Sequence, residues 1–284
     1  METSKPAAGQ SGDLRDFSGL ILLVGAGKMG GALVDGWLGA GLEPEKVAVI
    51  EPNPSPHIAA LASRGVRLNP DTTASVNADA IVIAVKPQTA AEAMPAIAPM
   101  VGPSTLVVSI MAGRTLRFLA GALKQAGAIV RAMPNTPASI GRGITVACPN
   151  GKVSASQRKL AGDLLAATGT VEWVDDEALM DAVTAVSGSG PAYVFLLAEA
   201  LAEAAITAGL PSSLAETLAR ETIAGSGELL HRSALPAATL RENVTSPGGT
   251  TAAALEVLMG QEALTALMTK AVAAATARSR KLAG

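Results

Sequence analysis

Leu20-Ile21-Leu22-Leu23-Val24-Gly25-Ala26-Gly27-Lys28-Met29-Gly30, continued by an apolar-periodic stretch from Ala32 to Leu38, decides how this chain reads. A short aliphatic run suits a strand covered on both faces, and the glycines after it turn the backbone sharply into a helix. Gly25-x-Gly27-x-x-Gly30 leaves that turn bare enough for a pyrophosphate to rest on the amides opening the helix. A glycine triplet alone is a weak signal. Here it joins a strand to a helix at the head of an alternating pattern. The segment Gly25, Ala26, Gly27, Lys28, Met29 and Gly30 is therefore expected to bind a dinucleotide, with the Met29 side chain packing locally.

Downstream the same alternation continues. Val47–Ile50, Val66–Leu68, Ala80–Val85 and Leu106–Ile110 are aliphatic runs with turn residues after them, and Ile129–Val130, Ile144–Ala147 and Val171–Val174 are weaker candidates. Helix-like stretches lie between them, so the fold class is α/β with a mostly parallel sheet. After about Asp176 no strand run follows. A long apolar-rich helical stretch from Ala178 to Leu210 is interrupted at Ser187-Gly188-Ser189-Gly190-Pro191. Pro211-Ser212-Ser213 restarts a helix that either serine can cap, and after Ser246–Thr251 a last helix runs from Ala252. These helices are apolar over more than one face, which calls for burial on more than one side. The expected division is a tail over 1–18, a dinucleotide-binding domain over 19–176, and a helical domain over 177–284 that oligomerises.

Composition narrows the alternatives. The chain has 284 residues, of which 49% are hydrophobic, and a net charge of −2. That is ample for a core and gives no field that would gather nucleic acid or an anionic membrane. A single cysteine, Cys148, and two separated histidines, His57 and His231, leave no metal-ligand spacing, so no metal is expected. No uninterrupted apolar run has the length needed to span a bilayer, and the first residues lack the apolar segment of a signal peptide. A cytoplasmic protein is expected.

Several residues carry potential chemistry. Glu51 closes the second strand where an acid commonly bonds a ribose 2′-hydroxyl, which favours NADH, while a solvated strand end is the plainer reading. Lys86-Pro87 and Ala112-Gly113 stop strands on the same edge as the glycine turn, where ligands of such sheets bind. Met133-Pro134-Asn135-Thr136-Pro137 is a rigid turn whose Asn135 and Thr136 can bond a ligand or the turn itself. In Ser246-Pro247-Gly248-Gly249-Thr250-Thr251 the glycines free the backbone and the threonines open a helix, a natural seat for a carboxylate. Cys148 is expected in a buried strand, both histidines on solvated helix faces, and Arg278–Lys281 at a solvated helix end.

Leu240–Thr251 resembles the signature of pyrroline-5-carboxylate reductases, and so, in order, do Ala84-Val85-Lys86-Pro87, Met133–Pro137 and Ser187–Tyr193. The resemblance runs from about Leu20 to the C-terminus. It implies a Rossmann-type domain followed by a helical domain that interlocks two subunits. It also implies reduction of 1-pyrroline-5-carboxylate to L-proline with NADPH or NADH, in a homodimer or an assembly of dimers. By the same resemblance Glu177, Thr250 and Thr251 meet substrate; the loop reading adds Ser246, Gly248 and Gly249, and Thr251 is expected to bond the reacting nitrogen. The residues expected at the cofactor from their place after the strands are Glu51, Asn53, Ala84, Val85, Lys86, Pro87, Met111, Ala112 and Gly113, and by the resemblance Asn243 meets it across the subunit interface. The chain departs from the family in having Glu51-Pro52-Asn53 where a small polar and a basic residue often stand, and Ala254 where glycine is frequent. Two rivals remain: a β-hydroxy acid dehydrogenase, weakened because Ala178–Leu210 contains no lysine, and a dinucleotide-sensing protein without catalysis.

Overall fold

Eight strands form one sheet in the order β3-β2-β1-β4-β5-β6-β7-β8. The computed structural model describes residues 12–70 and 78–283. The strands are β1 Ile21–Val24, β2 Val47–Ile50, β3 Arg67–Leu68, β4 Ala80–Ile83, β5 Leu106–Ser109, β6 Ala128–Met133, β7 Gly143–Pro149 and β8 Gly169–Trp173. β1 pairs in parallel with both β2 and β4, Ile21 standing beside Val47 and Ala80. The parallel run continues through β5 and β6. Among the described residues only the β6/β7 pair is antiparallel, and β8 then follows β7 in parallel. The six-strand part has the order of the two-halved dinucleotide fold, with its reversal between β1 and β4.

Two apolar layers explain why the central strands carry no polar face. Ile21, Leu23, Val47, Val49, Val82 and Val108 face one layer, whereas Leu22, Val24, Ile81, Ile83 and Val107 face the other. Each of these central strands alternates between them, so both of its faces need aliphatic residues. Trp37 on the helix Lys28–Gly39 is fully buried, and its indole N–H donates to the Leu164 carbonyl at 2.8 Å. From Gly12 onward the expected tail is instead packed, with Leu14 buried in the first layer and its N–H donating to the Ala40 carbonyl. Residues 1–11 lie outside the described part.

The chain divides into two compact units. The first runs to Gly188 and takes in the chain end from Thr276; the second is Ser189–Ala275. The contacts thus put residues 177–188 with the sheet, where the sequence reading drew its boundary at Asp176.

Within the second unit the helices are Gly190–Thr207, Ser212–Arg232, Ala237–Asn243 and Thr250–Leu258, followed by the start of Leu264–Ala283. Three details differ from the sequence reading. The expected interruption at Ser187–Pro191 is a π turn over Thr184–Gly188, so the helical path is continuous from Glu177 to Thr207. Pro211, not a serine, occupies the cap position, and Ser212 bonds Glu216 instead. The last helix is two helices, separated around Gly260. The continuous helical path also corrects the expectation about membrane length. Its 31 residues meet the length and composition of a spanning helix, because Ala, Gly and Ser between the larger residues do not break it.

Candidate active site

The glycine turn is shaped by three glycines with three different duties. Gly25 has φ +90, and a Cβ there would stand 2.9 Å from the Ala84 backbone, so it brings β1 and β4 together at the reversal. A Cβ on Gly30 would collide with the Gly25 carbonyl. A Cβ on Gly27 would meet nothing within 4 Å. Gly27 is therefore not required by the protein's own packing, and the space beside it is open to a ligand. The first amide with a helical acceptor is that of Gly31, which donates to Gly27 at 2.7 Å. The amides of Lys28, Met29 and Gly30 point from the helix start without helical acceptors, the arrangement a pyrophosphate needs. Met29 packs against the first apolar layer, as expected.

Glu51 does more than end a strand. Its Oε2 accepts from the Ala26 N–H at 2.9 Å and its Oε1 accepts from the Asn53 N–H at 3.0 Å. Asn69, in the left-handed region at φ 47, accepts from the Glu51 N–H and donates to the Glu51 carbonyl. One carboxylate thus ties the glycine turn to the loop after β2. Charged acceptors make the stronger hydrogen bonds, so this brace fixes the turn in advance of a ligand. Asn69 was not singled out in the sequence; the Asn69-Pro70 dipeptide was the available turn signal.

On the other side of β1, the loops after β4 and β5 carry Ala84, Val85, Lys86 and Pro87, and Met111, Ala112 and Gly113. Lys86 is exposed. Its carbonyl accepts from the N–H and the hydroxyl of Thr89, both at 3.0 Å, which closes the short turn Pro87–Thr89. Gly113 has φ +71, and Arg114 after it sends Nη2 to the Pro87 carbonyl at 2.7 Å. Asn135 serves its turn rather than standing free, accepting from the Ile144 N–H at 2.9 Å.

Glu177 is held firmly. Its Oε1 accepts from Arg131 Nη1 and from the Leu116 N–H, each at 2.8 Å. The Arg131 side chain on β6 is only 6% exposed, so this is a largely desolvated pair whose loss would leave a buried cation. The sequence signal for it was a lone charge inside an apolar strand. Cys148 stands beside Arg131 across the antiparallel β6/β7 pair. Burial pushes its thiol pKa up, and the Glu177 charge adds to the shift. The thiol is an inert core group. His57 is exposed but bonds Asp35 through Nε2 at 2.8 Å.

In the second unit, Gly248 has φ +66 and the Gly249 N–H turns back to the Ser246 carbonyl at 3.0 Å. The helix Thr250–Leu258 has no side chain capping its start, and the first amide bonded within it is that of Ala253. The amides of Thr250 and Thr251, with two hydroxyls beside them, remain for an anion, while that of Gly249 is taken. Asn243 ends the helix Ala237–Asn243 and is exposed.

Large apolar side chains are exposed throughout this unit: Phe195, Leu196, Leu218, Leu230 and Val257 are between 47% and 75% exposed. Its buried residues are all alanines: Ala202, Ala215 and Ala219.

Residues 177–282 match the family described as pyrroline-5-carboxylate reductase dimerisation, and residues 20–113 match one described as NADP oxidoreductase, coenzyme F420-dependent. A pyrroline-5-carboxylate reductase of Pseudomonas aeruginosa is 38% identical over 264 residues, 93% of this chain and 96% of that protein. One from Synechocystis is 40% identical over 240 residues, 84% of this chain and 88% of the other. Among solved structures, the Coxiella burnetii pyrroline-5-carboxylate reductase has TM-score 0.86 at 35% identity, covering 94% of this chain and 99% of that one. The Plasmodium falciparum pyrroline carboxylate reductase with NADP bound has TM-score 0.77 at 31% identity, with the same coverage.

Proposed function

The chain belongs to the pyrroline-5-carboxylate reductase family, and on that premise we propose which of its residues do the work and in what assembly. It is an oxidoreductase that reduces the C=N bond of 1-pyrroline-5-carboxylate to give L-proline, using NADPH or NADH. The observation that carries this is agreement along the whole length: the relatives cover sheet and helices alike, not the dinucleotide fold alone.

Bound NADPH or NADH supplies the hydride. The chain's own part begins with the glycine turn, where the amides of Lys28, Met29 and Gly30 and the open side of Gly27 fit a pyrophosphate. Glu51 and Asn53 take the adenosine ribose, and Glu51 keeps a carboxylate where a 2′-phosphate would be repelled. Ala84–Pro87 and Met111–Gly113 take the nicotinamide side, and Asn243 reaches the cofactor bound by a second copy.

The substrate carboxylate rests on the amides of Thr250 and Thr251 in the loop Ser246–Thr251. Gly248 sets that loop's turn with its free backbone, and the Gly249 amide is spent on the Ser246 carbonyl. Glu177 spends Oε1 on Arg131 and Leu116, which leaves Oε2 for the substrate contact. The ring nitrogen carries a proton taken up from water before its carbon accepts hydride, so the product is the neutral amine, and the Thr251 hydroxyl hydrogen-bonds that nitrogen and holds it in place. No acid of shifted pKa is required; orientation and preformed dipoles lower the barrier.

The helical domain, 177–284, pairs two copies. Its exposed apolar residues, including those of the membrane-length run Glu177–Thr207, form the surface of that homodimer, and the protein works in the cytoplasm. The test is oxidation of NADPH and of NADH by purified protein when 1-pyrroline-5-carboxylate is added. Turnover with this imine and none with β-hydroxy acids and NAD(P)⁺ is the expected result. The reverse result would overturn the reading.

A further inference from the structure

The order of the sheet gives direction to the two halves of a dinucleotide. β2 lies on one side of β1, and β4 and β5 lie on the other. With the pyrophosphate on the turn after β1 and the adenosine side toward Glu51, the nicotinamide half has the loops after β4 and β5 beneath it. Arg114 joins those two loops. It follows Gly113 in the β5 loop, and its Nη2 donates to the Pro87 carbonyl of the β4 loop at 2.7 Å. Its guanidinium carbon lies 4.7 Å from the centroid of the Phe118 ring, and its Nε is buried with no hydrogen-bond partner.

A charge in that position is costly. Burying a guanidinium nitrogen without a partner forfeits hydration, and an aliphatic residue would cover Phe118 without that loss. What an aliphatic residue cannot do is reach the Pro87 carbonyl. That carbonyl is a good anchor, because Pro87 has a fixed φ and opens the short turn closed by Lys86 and Thr89. One bond to Pro87 therefore sets the whole segment. We propose that Arg114 is a positioning residue for the nicotinamide half of the cofactor, aligning the segment Ala84–Pro87 with Met111–Gly113. The proposal rests on the cofactor reading above and is independent of which imine is reduced.

Binding separates the two halves. Wild type and Arg114→Met are titrated with NADH or NADPH, whichever wild type holds more tightly, and with the matching ADP-ribose or 2′-phospho-ADP-ribose, which lacks nicotinamide. Loss of a charge-assisted bond should weaken the full cofactor by about tenfold and leave the truncated probe within about twofold. Arg114→Lys, which keeps a cationic donor, should return most of the difference. Equal weakening of both probes would mean a general structural role and overturn the proposal, as would no change in either. If Arg114→Met does not fold, Phe118→Leu, which removes the ring under the guanidinium, must show the same asymmetry at about threefold. Wild type that bound neither probe would overturn the cofactor reading itself. Failure to turn over 1-pyrroline-5-carboxylate would leave the binding comparison decisive.

Discussion

The two units of this chain solve burial in opposite ways. The sheet unit buries the Leu, Ile and Val of its central strands together with Trp37, on both faces of those strands. The helical unit, Ser189–Ala275, buries only alanines and leaves Phe195, Leu214, Leu218, Leu229 and Val257 in the open. A fully exposed aliphatic or aromatic side chain forgoes about 1.5–3 kcal/mol that burial would provide. Repeated over so many positions, that loss marks a surface made to be covered. One unit completes its own core, and the other, which matches a family described as pyrroline-5-carboxylate reductase dimerisation, leaves its apolar surface uncovered. Both units contribute to the proposed work: the sheet unit carries the proposed pyrophosphate turn and Glu177, and the helical unit carries the proposed substrate loop and Asn243.

Gly27→Val is the strongest way to probe the first side of this comparison. The added side chain meets no protein atom at its Cβ, so the melting temperature should stay within a few degrees while dinucleotide binding disappears. Fluorescence titration with NADPH and NADH reads it. Wild-type affinity would move the dinucleotide away from this turn.

Phe195→Asp probes the other side. Truncating an aromatic anchor in a pairing surface commonly costs 2 kcal/mol or more, about 30-fold in dimer dissociation, and a buried charge adds to that. Sedimentation should show monomers that still bind cofactor and no longer turn over. An active monomer would erase the distinction between the units.

Thr251→Val sharpens the assignment of substrate to the helical unit. Removing the hydroxyl leaves the ring nitrogen unpaired and should cost about 1–3 kcal/mol in kcat/KM, with cofactor affinity unchanged and Thr251→Ser recovering most of it. Steady-state kinetics with each variant decide it; undiminished kcat/KM in the valine variant removes Thr251 from the mechanism.

The smallest effect is expected at the cofactor's adenosine end. Glu51→Ser with Pro52→Arg should shift preference toward NADPH by about 1 kcal/mol, the modest scale of a partly exposed charge. Because Glu51 also holds the Ala26 amide, affinity for both cofactors should fall together by a similar amount. A shift in preference with no common loss would show that the brace does not matter to binding.

Much of the sheet was legible because its signal is local. Val47–Ile50 reads as a strand from four aliphatic residues and is one with those bounds. Gly25 and Gly30 read as a turn from spacing alone, since only glycine tolerates the conformation at one and the close approach at the other. The reversal of β7 was not legible. Ile144–Ala147 looks the same in either direction, and only pairing with β6 sets it. The π turn at Thr184–Gly188 hid behind two glycines and a proline that ordinarily end helices. A Cβ on Gly188 would stand 2.6 Å from the Met133 methyl, so the glycine there answers a distant residue and not its neighbours.

What the sequence determined by itself was therefore the set of elements and the residue types at each loop: strand, glycine turn, helix, and a helical half too apolar to stand alone. Those follow from periodicity and from backbone freedom, which act within a few residues. The use of individual charges came from the fold. Glu51 bonds Ala26 across 25 positions, Arg114 bonds Pro87 across 27, and Arg131 bonds Glu177 across 46. A charge shows its function through the partner brought to it, and the fold, not the neighbouring sequence, chooses that partner.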